Sequence, residues 1–361
     1  MQQRVYAAPC EDNGRNYGVD MLRIVMMMGI VMLHFLGHGG LLEKAFADGG
    51  NYALLSLFKG ITFMSVNCFV LITGYFQSKG KFKLNKLLSL IAQIVFWSLI
   101  TYGISVIVGT NQFLVKDLIK AAFPFFFDGY WFTTVYVVMY AFSPFVNKGL
   151  EALDKKQHST LAILMALILA FPFFNGVLGV KSGYGLLWFI ALYVIGAYLR
   201  RYGVPKILNT GICIAIYAAS VLMLWMPQIV SIPGMSIVKM FAGGYSSIPN
   251  LLAAVSCFIV FYRLRVPKVA AKIIAFVSPL TLGVYLVHDS EYLRATFWKW
   301  INTLVDPAFS AVHVWIVPIV VVAIFVVCCL ADFLRIGIFK LLRVEKIMVR
   351  ISNKLMNIRE K

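Results

Sequence analysis

Four polar side chains lie on the first apolar segment of the chain, at a spacing that would place them on one face of a helix. Asp20 and Arg23 stand at its start, and His34 and His38 stand near its end. Arg23 and His34 are eleven residues apart, and eleven steps of about 100° return to nearly the same face, about 16 Å further along the helix. Asp20 and His38 fall on nearly the same line, because residues three or four apart are neighbours on a helix surface. We call these four residues the polar stripe.

The polar stripe combines groups that can bind an anion and take up a proton. A guanidinium group donates paired hydrogen bonds to a phosphate, and a neutral imidazole accepts a proton from a hydroxyl group. Because charged groups in an apolar span are costly unless they face a protein or water-filled interior, they indicate a functional site. We therefore predict His34 as the catalytic base, Arg23 as an anion-binding residue and Asp20 as the carboxylate that orients Arg23. The structural alternatives are a helix-packing histidine and an ion pair that anchors the helix at the membrane surface.

The composition indicates an integral membrane protein. Of the 361 residues, 61% are hydrophobic and 13% are charged, about half of the charged share of soluble proteins. Apolar runs long enough to cross a bilayer recur along the whole chain, so we predict an all-α, polytopic fold with about ten transmembrane helices. The predicted spans are residues 19–36, 53–76, 86–108, 130–147, 159–176, 185–200, 206–226, 246–262, 272–288 and 313–335.

The basic residues predict the orientation of these spans. The net charge of +18 comes from lysines and arginines in the short gaps between apolar runs, a placement typical of membrane proteins and not of a nucleic-acid-binding face. Alternate gaps differ about threefold in basic residues, and the richer side, which includes both termini, is assigned to the cytoplasm. Residues 1–335 would form one transmembrane domain with a short cytoplasmic lead at 1–18. Residues 336–361 would form a basic amphipathic tail on the cytoplasmic leaflet.

Further polar residues extend the predicted site. Lys83 and Lys86 follow the second span, where they either fix the topology or hold phosphate groups. Tyr285 and His288 lie one turn apart in the ninth span, with His288 at about the depth predicted for His34, and an interfacial role is equally open. Four other residues belong either to an aromatic belt at the membrane surface or to the acceptor side of a site. They are Tyr75, Trp131, Tyr136 and Tyr140.

The longer connections lie on the predicted non-cytoplasmic side. Residues 110–129 contain an amphipathic stretch with Lys116, Asp117 and Lys120, and residues 289–312 include Glu291. Long connections at one face commonly carry substrate contacts. The six cysteines are scattered without metal-ligand or redox spacing, so neither a metal site nor a disulfide framework is predicted.

A series of motifs resembles the bacterial acyltransferase 3 family. Its first-helix pattern of an arginine, ten residues and a histidine is similar to Arg23 to His34. Further motifs of the family match along residues 15–335, in the family's order. They are Thr73-Gly74-Tyr75-Phe76, Trp131-Phe132 with Tyr136, Tyr140, Ser143-Pro144-Phe145 and Asn147, then Leu187-Trp188-Phe189 and Gly283-Val284-Tyr285-Leu286-Val287-His288.

The resemblance implies a ten-span enzyme of the bacterial cytoplasmic membrane that acylates cell-surface sugars. It implies acetyl-CoA as acyl donor, a glycan or lipid-linked sugar as acceptor, and the lipid bilayer as surroundings. Arg23, Lys83 and Lys86 would hold the donor. One departure matters, since the family's Arg-x-x-Arg pair after the second span is here Lys83-Leu84-Asn85-Lys86, and lysine lacks the guanidinium fork.

Two other classes of function remain open from the residues alone. A transporter or flippase of a polysaccharide or lipid-linked glycan would use the polar stripe as a path through the membrane. A membrane sensor or scaffold would need neither His34 nor Arg23. The enzyme differs from both in consuming acyl-CoA.

Overall fold

The computed structural model describes residues 11–12, 15–48, 51–127, 129–230, 232–309 and 314–357. Apart from a short antiparallel pair of strands, β1 (Glu11–Asp12) and β2 (Arg15–Asn16), the regular structure of these residues is helical, so the predicted all-α class is confirmed. The helices are α1 (Tyr17–Gly37), α2 (Leu41–Asp48), α3 (Tyr52–Thr62), α4 (Ser65–Gln77), α5 (Leu84–Ile107), α6 (Val115–Ala122), α7 (Trp131–Glu151), α8 (Lys155–Ala170), α9 (Leu186–Tyr202), α10 (Thr210–Ile229), α11 (Met235–Ala242), α12 (Ile248–Tyr262), α13 (Lys268–Val277), α14 (Thr281–His288), α15 (Arg294–Phe309), α16 (Ile316–Leu341) and α17 (Val344–Asn357).

Six helical segments of the described chain are long and apolar enough to cross a membrane. They are α1, α3 with α4, α5, α10, α13 with α14, and α16. The other four predicted spans also fall on helices, namely α7, α8, α9 and α12. Of these, α7 carries many polar side chains, and the rest have only 15 to 17 residues. The count of ten spans and the cytoplasmic position of the termini therefore stay predictions.

The helices group into two units. The first consists of Met1–Gly80 and Ser143–Pro279, and it contains α1 to α4, the end of α7, and α8 to α13. The second consists of Lys81–Phe142 and Leu280–Lys361, and it contains α5, α6, the start of α7, and α14 to α17. Within the second unit α16 continues past residue 335 to Leu341, and α17 packs against α5. The predicted boundary between domain and tail thus lies inside a helix.

The start of α1 is fixed by a cap and by close contact with α12. The Asn16 side-chain oxygen accepts a hydrogen bond of 3.0 Å from the Val19 backbone nitrogen, which satisfies one of the open amide groups of the first turn. The Asn16 side-chain amide donates to the Tyr262 carbonyl at 3.0 Å. A side chain at Gly18 would overlap the Phe261 carbonyl. Asn16 and Gly18 together therefore hold the beginning of the polar stripe against the end of α12.

Two glycines bring α4 and α9 into close contact in the first unit. A Cβ on Gly74 would overlap the backbone of Tyr193, and one on Gly196 would overlap the backbone of α4. Small residues permit such approach where membrane helices pack. The contact explains why a glycine precedes Tyr75 in the motif at the end of α4. It also places Arg200, in the last turn of α9, beside the Tyr75 ring.

Candidate active site

Asp20 is the centre of a polar cluster at the start of α1. Its carboxylate is buried, and it accepts hydrogen bonds from the guanidinium groups of Arg15 and Arg23. The Ser278 hydroxyl donates to it at 3.2 Å. Because a buried charge is costly without partners, these donors are what allow a carboxylate at this position. The sequence pattern had indicated Arg23 as a partner of Asp20 and did not indicate Arg15.

Arg23 lies against an aromatic surface at the end of α4. Its guanidinium carbon is 5.6 Å from the centroid of the Phe76 ring, and the Tyr75 ring is 5.1 Å from Phe76. Arg200 lies over the Tyr75 ring at 5.1 Å and donates to its hydroxyl at 3.4 Å. A cation over an aromatic face is attracted by the ring quadrupole. The two arginines therefore lie on adjacent rings. Their guanidinium carbons are no more than about 16 Å apart.

Arg200 carries a buried donor that has no hydrogen-bond partner among the described residues, its Nε atom. An unsatisfied buried donor costs about 1–3 kcal/mol. We call Arg15, Arg23 and Arg200, with Asp20, the arginine cluster. It contains three cations and one carboxylate, so its formal charge is positive. An anion with several oxygens, such as a phosphate, would offset this charge and supply an acceptor.

Sequence reasoning missed Arg200 as a member of this site. Arg200 lies at the end of the sixth predicted span, and the basic residues between spans were used there only to assign the orientation. Tyr75 was predicted, and it is 4% exposed and packs between Phe76 and Phe258. Only the contact between α4 and α9 reveals that an arginine from another helix lies over this tyrosine.

His34 and His38 form a stacked pair at the other end of α1. Their ring centroids are 4.9 Å apart and the ring planes differ by 12°. His34 is half-buried in the last turn of the helix, and His38 is exposed directly after it. Since α1 is continuous over Tyr17–Gly37, the rise of the helix puts His34 about 16 Å beyond Arg23 along the axis. One helix therefore carries an anion-binding arginine and a partly accessible imidazole.

Tyr285 and His288 belong to an aromatic group of the second unit. Their rings are 6.4 Å apart and nearly perpendicular, and Trp298 packs against His288 at 6.4 Å. His288 is buried, with its Nδ1 atom directed at the Val284 carbonyl. Because a carbonyl only accepts, Nδ1 carries the proton in this contact. These contacts fix the orientation of the His288 ring at the end of α14.

The other predicted aromatic residues lie in α7. Phe132 stacks on Tyr136 with centroids 5.8 Å apart, and it contacts Trp131 and Tyr285 at 5.9 Å each. This first turn of α7 therefore joins Tyr285 in one aromatic group.

Lys83 and Lys86 are exposed at the start of α5, in the second unit. Tyr140, in the same unit, packs its ring against Phe82 at 5.5 Å. The lysines thus belong to a different unit from the arginine cluster, and their exposure leaves their ammonium groups accessible to an anion.

A buried ion pair in α16 was not singled out from the sequence. The Asp332 carboxylate accepts two hydrogen bonds of 2.7 Å from Arg335, one of 2.8 Å from the Trp97 indole and one of 3.2 Å from Gln93. A Cβ on Gly283 would overlap this carboxylate. The sequence signal was an acid and an arginine three residues apart at the end of the tenth predicted span. Their contacts indicate a role in joining α5, α14 and α16.

A family model described as an acyltransferase domain matches residues 16–332. This range contains Asp20, Arg23, His34, His38 and Arg200. No curated protein and no solved structure matches the chain.

Proposed function

The chain belongs to the acyltransferase 3 family, and from this premise we propose that it transfers an acetyl or other short acyl group from cytoplasmic acyl-CoA to a glycan hydroxyl. The acceptor is a cell-surface or lipid-linked sugar. The observation that carries the proposal is the arrangement on α1, where an arginine held by Asp20 and a partly accessible His34 lie about 16 Å apart on one helix. An extended pantetheine arm can join a phosphate at the first position to a thioester at the second.

His34 acts as the general base in this proposal. Its neutral imidazole accepts the proton of the acceptor hydroxyl while that oxygen attacks the thioester carbonyl. The new ester C–O bond forms, the C–S bond breaks, and the leaving thiolate takes the proton from the imidazolium. In the alternative route the His34 nitrogen first accepts the acyl group and then passes it to the hydroxyl. Both routes need the same side chain.

The arginine cluster supplies the donor-binding groups in this proposal. Arg23 and Arg200 each present a guanidinium group that can donate paired hydrogen bonds to phosphate oxygens of the donor. They provide the guanidinium fork that Lys83 and Lys86 lack, since a lysine is a simple point charge. Aromatic contacts to Tyr75 and Phe76 limit the freedom of both arginines before the donor binds.

The location that fits this chemistry is a bacterial cytoplasmic membrane, with about ten spans and both termini in the cytoplasm. The arginine cluster would then lie at the cytoplasmic mouth, where acyl-CoA is available, and His34 towards the opposite face. Donor and acceptor would approach the polar stripe from opposite sides. Tyr136 and His288 are proposed for the acceptor side.

Transfer of labelled acetyl tests the proposed function directly. Membranes that contain the protein are incubated with acetyl-CoA labelled in the acetyl group, and the glycan fraction is then separated and counted. We expect label in ester linkage to glycan, released by mild base, and none with membranes that lack the protein. Movement of a glycan across the membrane without consumption of acetyl-CoA would instead support the transporter.

Arg200 offers a test of donor binding. Loss of a charge-assisted hydrogen bond costs about 1.5–3 kcal/mol, so Arg200→Ala should raise the KM for acyl-CoA about ten- to a hundredfold. The kcat at saturating donor should change little, because the lost interaction is made equally in the ground and transition states. The KM of Arg200→Lys, which keeps the charge and loses the guanidinium fork, should lie between those of the unchanged protein and Arg200→Ala. Lys206→Ala, at an exposed position nearby in sequence, is the control, and an unchanged KM in both Arg200 variants would exclude this role.

A further inference from the structure

A polar pocket of the second unit combines aromatic rings with hydrogen-bonding groups. Its volume is about 470 Å³, which is enough for a small ligand of the size of one or two sugar rings. Its polar lining groups come from α5 and the connection after it, from α6 and from the segment between α14 and α15. The lining includes Asn111, Asp117, Lys120, Glu291, Tyr102 and Tyr292.

Hydrogen bonds to the backbone hold the walls of this pocket in place. Asn111 donates to the Tyr292 carbonyl at 3.1 Å, and the Tyr292 hydroxyl donates to the Asp117 carbonyl at 3.4 Å. The Tyr102 hydroxyl donates to the Leu114 carbonyl and accepts from the Leu114 nitrogen, both at 2.9 Å. The two connections are therefore tied to each other without a ligand. A site formed in advance has little ordering cost on binding.

The rings and polar groups of the pocket suit a carbohydrate. Tyr292 is partly exposed, and the buried Tyr102 ring supports it from 5.1 Å with the two planes at 62°. Phe127 adds a partly exposed ring. The negative face of an aromatic ring favours the polarised C–H bonds of a sugar. Carboxylate and amide oxygens accept hydrogen bonds from the sugar's hydroxyl groups.

The charges of the pocket favour a neutral sugar over an anionic one. Asp117 and Lys120 pair with each other at 3.2 Å, which leaves the Glu291 carboxylate as the remaining formal charge of the lining. Gly129 keeps space beside it, since a Cβ there would lie 3.2 Å from a Glu291 oxygen. Burial, with two carboxylates nearby, raises the pKa of Tyr292, so its hydroxyl stays a neutral donor. An excess negative charge would repel a phosphate or a uronic acid.

We propose that this pocket binds a neutral sugar unit of the acceptor glycan. Both of its segments belong to the connections predicted on the non-cytoplasmic side, residues 110–129 and 289–312, which is where a surface glycan would arrive. The role of the bound sugar as acyl acceptor rests on the proposed function. Binding of the sugar does not depend on the proposed function, so the sugar pocket and the acyl transfer can be rejected separately.

Sugar binding can be measured on the full chain in lipid nanodiscs by saturation-transfer NMR. The probes are glucose, galactose and N-acetylglucosamine, with glucuronic acid as the anionic comparison. We expect transfer to at least one neutral sugar and none to glucuronate. Since a hydrogen bond to a charged group contributes about 1.5–3 kcal/mol, Glu291→Gln should weaken binding about tenfold or more, and Phe127→Ala should weaken it as well.

The control variant is Lys116→Ala. It changes an exposed lysine of α6, the helix that carries Asp117 and Lys120, but Lys116 is not part of the pocket lining. It should bind sugar as the unchanged protein does. The changed residues are exposed, and a thermal unfolding curve of each variant verifies that it folds.

The proposal is overturned if no neutral sugar receives saturation, or if Glu291→Gln and Phe127→Ala bind as well as Lys116→Ala. Acetyl transfer from labelled acetyl-CoA, measured on the same preparations, separates the two ideas. If the protein transfers acetyl groups but binds no sugar, the proposed sugar pocket alone is rejected. Sugar binding without any transfer upholds the pocket and rejects the proposed function.

Discussion

Replacement of His34 by alanine is expected to lower acyl transfer about 10²- to 10⁴-fold, the usual cost of losing a general base. The side chain is half-buried in the last turn of α1, so its loss leaves the fully buried contacts of that helix in place, and the variant should still insert and fold. The measurement is label transferred from acetyl-CoA to glycan at saturating donor, with the amount of folded protein fixed by thermal unfolding and size-exclusion chromatography. Both the general-base route and the acyl-histidine route predict this loss.

Two further variants separate chemistry from packing at this position. His34→Gln keeps most of the volume and some hydrogen bonding, and it should be as inactive as His34→Ala, because an amide does not accept the proton. His38→Ala removes only the stacked ring, and such an aromatic pair contributes about 0.5–1.5 kcal/mol, so the rate should fall at most about tenfold. Near-normal transfer by His34→Ala would reject the assignment of the base. An inactive His38→Ala with an active His34→Ala would transfer that assignment to His38.

The arrangement of polar residues on α1 could be predicted from the sequence because it depends on one helix. Helical periodicity alone places Asp20, Arg23 and His34 on one face, with His38 close to the same line. Hydropathy similarly predicts which segments are helical. It does not decide how many of them span the membrane, because α8, α9 and α12 are short and α7 is rich in polar residues.

What the sequence did not reveal depends on contacts between helices distant along the chain. Arg200 reaches Tyr75 only because Gly74 and Gly196 allow α4 and α9 to approach. The pocket with Glu291 forms where hydrogen bonds of Asn111 and Tyr292 tie two connections together. No periodicity encodes such pairings, and the glycines that permit them are individually compatible with many structures.

The buried pair of Asp332 and Arg335 leads to the largest expected change in stability. Removal of one member of a buried ion pair costs about 3–5 kcal/mol, because the other charge is left without compensation. Asp332→Ala should therefore lower the thermal unfolding temperature strongly, and it also removes the acceptor of the Trp97 indole and Gln93. Asp117→Ala is the control, since it breaks an ion pair that is partly solvent-exposed, where about 0–1 kcal/mol is expected.

The double variant Asp332→Leu with Arg335→Leu identifies the cause of this loss. Replacement of both members by apolar residues of similar volume is often neutral, because neither charge then needs solvation. We expect the double variant to regain most of the stability, with a remaining cost of about 1–3 kcal/mol for the Trp97 indole, whose donor loses its acceptor. Equal instability of the double variant and Asp332→Ala would mean that the hydrogen bonds of Trp97 and Gln93, more than the charge of Arg335, join α5 to α16. A stable Asp332→Ala would contradict both explanations and show that α5, α14 and α16 hold together by apolar packing alone.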